Sequence, residues 1–181
     1  MRVIRAVATL VVVTPSMLAL QGCNPHQYDS VPSVSNAKRS EIVGVWRCVE
    51  GTEVVLNVDG SAAVAHLDGQ EFDFDDGWRM SGIGTWRLTD AKSGWGNGQH
   101  ISVRVTQRMS WEERHDTEPG GRVPADARRP APKTYTWTLE MQRGAKGLRL
   151  FFLFGDPDSR SYYYLEKERT EHGSSPSASR R

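Results

Sequence analysis

The sequence is poor in the features that most directly identify chemistry. It has only two cysteines among 181 residues, so it lacks the disulfide framework of many small secreted domains. Its 23 basic and 22 acidic residues nearly cancel, which argues against the strong positive field of a nucleic-acid-binding protein. Its five histidines show no pair at metal-ligand spacing, and a Gly-x-Ser-x-Gly motif is missing. The sequence therefore predicts neither an enzyme nor a metal or cofactor site.

The sequence has no long uninterrupted apolar run. Its longest mostly apolar stretch lies near the N-terminus. Residues 6–20 are mostly apolar, but polar residues and a proline interrupt them, so they fall short of the roughly 20 apolar residues that a membrane-spanning helix needs. Arg2 and Arg5 precede this stretch, and the small residue Gly22 follows it. This order is typical of a secretory signal peptide, which we predict over residues 1–22.

The residue after this segment allows three interpretations, because Cys23 could pair with Cys48, remain a free thiol or carry a lipid. The junction Leu20-Gln21-Gly22-Cys23 resembles the lipobox of bacterial lipoproteins. The resemblance implies cleavage between Gly22 and Cys23, a diacylglyceryl thioether on Cys23, and attachment to the extracytoplasmic face of the cell membrane. Cys48 alternates with an apolar tryptophan and is predicted to face inward, which favours the lipid over the disulfide.

Two polar segments flank the rest of the chain. Residues 23–40 contain two prolines and several serines, a composition that predicts a flexible tether. Residues 168–181 are equally polar and are predicted to form a disordered tail. Residues 41–167 remain for folding, and this length suits one domain.

Alternation of apolar and polar residues dominates this domain and predicts β-strands rather than helices. The clearest strand places four apolar side chains on one face: Tyr135, Trp137, Leu139 and Met141. Another has Ile101, Val103 and Val105 inward. Asp59-Gly60 predicts a two-residue hairpin turn after a strand that carries Val54, Leu56 and Val58 on one face.

About eight such strands, mostly with short links, predict an all-β fold. We expect a single antiparallel meander closed into a lipocalin-like barrel, since closure removes exposed strand edges; a two-sheet β-sandwich is the alternative. Two longer stretches, residues 68–81 and 109–132, are predicted to be loops.

Several turn and core motifs support a family resemblance. The stretch Gly44-Val45-Trp46-Arg47, the glycine-rich residues 81–86 and the "GDPDS" turn before three consecutive tyrosines are similar to small actinobacterial lipoproteins of unknown function. A Gly-x-Trp at the start of a meander also loosely resembles the lipocalin and calycin superfamily. Because these motifs are structural, the resemblance implies a fold and an anchor but no activity.

The large aromatic side chains on the predicted inward faces are the candidate ligand-pocket or core residues: Trp46, Trp86, Trp137, Tyr135 and Phe152. A barrel of this size either fills with side chains or holds one small ligand. The leading hypothesis is a non-enzymatic binding or interaction module at the membrane, with a protein partner or a small apolar ligand. A lipocalin-like carrier is the first alternative, and a hydrolase using loop carboxylates of residues 71–76 is the second.

Overall fold

The structure, a computed structural model, describes residues 29–48, 51–70, 77–90, 96–113, 130–154 and 161–168. A single turn of helix precedes eight strands. The elements are α1 (Arg39–Ile42), β1 (Gly44–Arg47), β2 (Glu53–Leu56), β3 (Ser61–Asp68), β4 (Trp78–Thr89), β5 (His100–Glu113), β6 (Tyr135–Gly144), β7 (Gly147–Phe154) and β8 (Ser161–Lys167).

The eight strands form one antiparallel meander in which each strand pairs with its neighbour in the sequence. The sheet closes where Trp46 and Arg47 of β1 pair with Lys167 and Glu166 of β8. The predicted all-β barrel is therefore confirmed, and the two-sheet sandwich is excluded. Closure removes the two edges that an open sheet of these strands would expose.

The core follows from the alternation read in the sequence. In β6, Trp137, Leu139 and Met141 are fully buried, and in β5 the same holds for Ile101 and Val103. These side chains belong to one hydrophobic cluster that includes residues from every strand. Since one face of each strand points inward, a period of two is enough to place the core.

The β4–β5 hairpin is longer than predicted. Strand β4 begins at Trp78 and β5 continues to Glu113, and these two residues pair at the end of the hairpin. The predicted loops over residues 68–81 and 109–132 are thus partly strand. Two register shifts interrupt the pairing, and such β-bulges break the alternation by which a strand is recognised in a sequence.

The turn between β2 and β3 also differs from the prediction. Asn57 donates to the Ser61 carbonyl, which leaves a three-residue loop instead of the two-residue turn expected at Asp59-Gly60. Only Gly60 in this loop has a positive φ, +90°, where a three-residue hairpin loop ends in a bulge. Val58 therefore lies at the loop tip, 77% exposed, and does not share the inward face of Val54 and Leu56.

Helix α1 lies across one end of the barrel. Ile42 is fully buried there, and its carbonyl accepts a hydrogen bond from Trp46 Nε1 at 2.8 Å. The Arg39 guanidinium lies 4.2 Å from the Trp86 ring centroid, a cation–π contact with β4. Helix α1 thus contacts both an early and a central strand of the meander.

Two further contacts join α1 to the late strands. Glu41 forms an ion pair with Arg143 of β6 at 2.9 Å, and its carbonyl accepts from Lys167 Nζ of β8 at 2.7 Å. The hydrogen bond from Arg143 lowers the pKa of Glu41 to about 2. Burial lowers the pKa of Lys167, whose ammonium also lies over the Trp46 ring. Because α1 contacts β1, β4, β6 and β8, it lies across this end of the barrel, which we call the α1 end.

The chain before α1 packs against the barrel beside the residues that lead into β5. Val34 and Ala37 are buried and belong to the core cluster, although they lie within residues 23–40, the predicted tether. The Val34 carbonyl accepts a hydrogen bond from the Gln99 backbone at 2.7 Å. The packed part of the protein therefore begins before Glu41.

Candidate functional site

The structure distributes the five predicted aromatic residues along the barrel. Trp46 and Trp86 are buried near the α1 end, whereas Trp137 and Tyr135 lie toward the opposite end, which we call the mouth. Phe152 of β7 is buried and stacks on Tyr163 of β8, with ring centroids 4.6 Å apart. Only Trp137 and Tyr135 of the predicted set form a direct ring contact, at 4.7 Å.

A short segment, residues 68–70, crosses the mouth from β3 toward β6. A register shift between Val64 and Leu67 precedes it, and His66 within the shift has a φ of +49°. The shift leaves both Leu67 and Asp68 fully buried, although neighbours in a regular strand point to opposite faces. At the far side, the Asp68 carbonyl accepts a hydrogen bond from Trp137 Nε1 at 2.7 Å.

Gln70 completes this crossing by pairing with the backbone of β6. Its side-chain oxygen accepts from the Thr138 N–H at 2.6 Å, and its side-chain nitrogen donates to the Thr138 carbonyl at 2.8 Å. The ladder between β6 and β7 extends only from Gly144↔Gly147 to Glu140↔Phe151. The Gln70 side-chain amide therefore forms hydrogen bonds with backbone groups of β6 beyond the last residue of β6 that pairs with β7.

A buried polar network lies beneath the crossing segment. Asp68 Oδ1 accepts from Arg79 Nε at 2.8 Å, a buried carboxylate paired with a mostly buried guanidinium. Thr52 donates its hydroxyl proton to the His66 carbonyl at 2.8 Å, so Tyr163 must donate in the hydroxyl contact between Tyr163 and Thr52. Burial, and then the negative charge of Asp68, raise the pKa of Tyr163. Its hydroxyl thus stays neutral and acts as a donor.

Three aromatic rings pack edge to face at the mouth. Trp78 lies 4.9 Å from Tyr135 and 6.3 Å from Trp137, measured between ring centroids. On the same β4–β5 hairpin, Trp111 is 37% exposed and pairs in register with the buried Met80. The mouth therefore combines a buried aromatic cluster with a partly exposed ring on the extended hairpin.

Arginine and tryptophan meet on this hairpin. The Arg108 guanidinium lies 5.8 Å from the Trp111 ring centroid and also donates to the Ala131 carbonyl. Apolar rings with a few fixed polar groups are the usual composition of a binding site. We use the name mouth surface for Trp111 and Arg108, in the later half of β5, together with Tyr135, the first residue of β6.

Sequence reasoning missed the polar members of this region. Asp68 and Thr52 sit at strand ends among many polar residues, and Tyr163 is one of three adjacent tyrosines. Trp78 was expected in the loop of residues 68–81, whereas it is the first residue of β4 and packs against Tyr135. The only local sequence signal for these residues is a polar residue beside an aromatic residue at the end of a strand, and this signal is weak.

Other candidate residues remain apart from this surface. Cys48 has a free thiol and packs half-buried against the core. Gly22, Cys23 and the carboxylates Glu71, Asp73, Asp75 and Asp76 lie outside the described residues. Within the described part of the chain, no group of three or more His, Cys, Asp or Glu side chains could hold a metal ion. No helix in that part is both long and apolar enough to cross a bilayer.

Comparison of the chain with protein-family models, with curated proteins and with solved structures finds no match. The functional interpretation therefore depends on the residues and their geometry.

Proposed function

We propose that this protein is a lipid-anchored extracytoplasmic β-barrel that acts as a non-enzymatic binding module at the cell surface. The observation that carries the proposal is the junction Leu20-Gln21-Gly22-Cys23 directly after an apolar N-terminal segment. A thioether-linked diacylglyceryl group on Cys23 would supply two acyl chains, and two chains anchor stably where one does not, at about 0.8 kcal/mol per buried methylene.

The position of the N-terminal chain supports an orientation on the membrane. The segment that precedes α1 packs beside residues 96–99, which lead into β5 from the α1 end. Only five residues lie between Cys23 and Asp29, the first described residue, and the six steps from Cys23 to Asp29 span at most about 20 Å. An anchor at Cys23 would therefore hold the α1 end toward the bilayer and direct the mouth surface away from it.

The barrel interior favours binding at the mouth surface over binding inside. The described inward-facing side chains form one contiguous cluster, and Trp46, Trp137 and Phe152 within it are at most 1% exposed. A filled eight-stranded barrel leaves its interior to side chains, whereas a carrier needs a cavity of roughly 300 Å³ or more. The segment that crosses the mouth, residues 68–70, also lies in the path that a ligand would take into the interior.

The anchor is tested by exchanging each of the two cysteines separately. We expect Cys23→Ser to abolish labelling by radioactive palmitate and to move the protein from the membrane fraction to the soluble fraction. Cys48→Ser is the matched control and should retain both the label and the membrane association. Membrane association of Cys23→Ser, with no label on the wild-type chain, would contradict the proposal.

The site of binding is tested with an apolar fluorescent dye. A carrier would bind the dye at one molecule per chain and would quench tryptophan emission from the interior. We expect no such saturable binding in the wild-type chain. Saturable binding that Trp111→Ala leaves unchanged and Trp137→Phe weakens would support the carrier and would overturn binding at the mouth surface.

A further inference from the structure

Three hydrogen bonds among the described residues hold the segment of residues 32–37, which we call the strap, against the barrel. Arg143 Nη2 of β6 donates to Asn36 Oδ1 at 3.2 Å, and the other two bonds involve Gln99. Gln99 donates its backbone N–H to the Val34 carbonyl at 2.7 Å, and Ala37 donates its backbone N–H to Gln99 Oε1 at 2.7 Å. Val34 and Ala37 are both buried by this packing. Gln99 thus binds the strap at two points and Arg143 binds it at a third, so few contacts must break for the strap to open locally while the strands stay paired.

Two glycines allow the strap and the barrel to approach closely. A Cβ atom on Gly98 would lie 2.6 Å from the Val34 carbonyl oxygen and 2.8 Å from the Val34 nitrogen. A Cβ atom on Gly96 would lie 2.6 Å from Glu140 Oε2 and 3.6 Å from the Pro32 carbonyl oxygen. Residues 96–99 are therefore enclosed between the strap and the outer face of β6.

A histidine and a glutamate lie buried on that outer face. His100 immediately precedes Ile101, and Glu140 immediately follows Leu139, with which Ile101 pairs. Because Ile101 and Leu139 point inward, these two neighbours point away from the core. They are nevertheless only 3% and 2% exposed. Glu140 Oε1 accepts from the Gly96 N–H at 3.1 Å, whereas His100 Nδ1 makes no hydrogen bond to the described residues.

The charged groups around His100 are few. Among the described residues, Glu140 of β6 and Arg87 of β4 act on it electrostatically. The strap and residues 96–99 contain no ionisable side chain. Burial is the largest influence and lowers the pKa of His100, Arg87 acts in the same direction, and Glu140 opposes both. A neutral imidazole is stable in this buried position, whereas a positively charged imidazolium would need water or an available carboxylate to stabilise its charge.

We propose that the strap is a releasable clasp, which closes over neutral His100 and opens when His100 takes up a proton. The strap is the element that yields because only three hydrogen bonds among the described residues hold it, while β5 and β6 pair with each other over five residues and with β4 and β7 on their other sides. Opening admits water to the imidazolium and to the Glu140 carboxylate. Acidification thus separates the N-terminal chain from a barrel that remains folded.

Opening of the clasp changes how far the barrel can extend from the bilayer, a consequence that rests on the proposed lipid anchor. With the strap closed, residues 23–32 link the anchor to the barrel and span at most about 30 Å. With the strap open, the link extends to Arg39 and spans at most about 55 Å. Acid would therefore allow the mouth surface to stand farther from the bilayer.

Amide hydrogen exchange on the full chain in detergent tests the clasp directly. After correction for intrinsic rates, we expect the exchange of the Ala37 and Gln99 amides to rise by up to about tenfold per pH unit below pH 6.5, while Leu56 in β2 stays protected. His100→Gln should remove this pH dependence. The midpoint of His100 protonation, followed in the wild-type chain by NMR, should coincide with strap opening, and this measurement does not depend on any variant folding.

Two glycine variants separate opening of the strap from titration of the histidine. Gly98→Ala should expose the Ala37 amide at every pH, because its new methyl group collides with the Val34 backbone. Gly144→Ala is the matched control, since its methyl group would have no heavy atom closer than 3.7 Å. Equal strap protection at pH 5 and pH 7.5, or a pH response that survives in His100→Gln, would overturn the clasp. Either result leaves the Cys23 labelling experiment unaffected, so the two proposals fail separately.

Discussion

The pairing of the Gln70 side chain with the backbone of β6 makes a specific prediction about stability. Gln70→Leu keeps a similar volume but removes both hydrogen bonds to Thr138. Each net hydrogen bond contributes about 0.5–1.5 kcal/mol, and an unsatisfied buried group costs about 1–3 kcal/mol. Thr138 is only half-buried, so water replaces part of the loss. We expect the free energy of unfolding to fall by about 2–4 kcal/mol.

For a domain of this length, such a loss lowers the melting temperature by about 6–12 °C. Thermal unfolding followed by far-UV circular dichroism measures this change, with a urea titration as a second estimate. Gln107→Leu is the matched control, since Gln107 is an exposed residue of β5. The control should alter the free energy of unfolding by no more than about 0.5 kcal/mol.

Gln70→Glu identifies which of the two bonds matters. At neutral pH the new carboxylate still accepts from the Thr138 N–H but cannot donate to the Thr138 carbonyl. Repulsion from this carbonyl raises the carboxyl pKa in the folded state above its usual value of about 4.3. The deficit relative to wild type should therefore be largest at neutral pH and shrink as the pH falls toward 4. If Gln70→Leu and Gln107→Leu melted at the same temperature, the bonds across the mouth would contribute nothing and this reasoning would be wrong.

Three further predictions concern the barrel wall and the mouth. Gly84→Ala should cost at least about 3 kcal/mol in urea unfolding because its Cβ would fall within 1.8 Å of the Arg104 carbonyl oxygen, whereas Gly144→Ala should be nearly neutral. Tyr163 should ionise last in an ultraviolet titration, and stability should fall as the pH rises above about 10, since the folded state raises its pKa; Tyr163→Phe should remove that last step. Trp137→Phe should lower the free energy of unfolding by about 1–3 kcal/mol through loss of its 2.7 Å indole hydrogen bond, and an unchanged urea midpoint would contradict this.

Strand content was predictable because burial on one face imposes a period of two on the sequence. The strand with Trp137, Leu139 and Met141 was recognised in this way, and its neighbours followed from short connections. The same rule failed from Met109 to Glu113, which were predicted to be loop, because β5 passes through register shifts. A bulge adds one residue to one strand, so the alternation that marks the core face is lost.

Burial of polar residues was the second failure of the pattern. Glu140 follows the alternation and points outward, yet it is buried, because residues 96–99 and the chain before α1 pack over that face. A side chain that points outward from the barrel is therefore not necessarily exposed to solvent. Whether an outer face meets solvent depends on distant parts of the chain, which periodicity within one strand does not report.

The sequence by itself determined eight strands, their order in a meander and the inward direction of the large rings. The sequence also contains the N-terminal junction at Cys23, and the lipid anchor inferred from this junction remains a prediction. These features are local: they follow from side-chain alternation, from turn chemistry and from the order of residues along a few positions.

Only the tertiary structure decided which residues meet across the barrel. Gln70 and Thr138 are separated by 68 positions, and Thr52 and Tyr163 by 111. Such contacts depend on closure of the sheet, on strand register and on the bulge before Asp68, each of which moves a side chain to another face or level. The physical reason is that the inward direction of a residue is a property of its own strand, whereas its partner is chosen by the geometry of all eight.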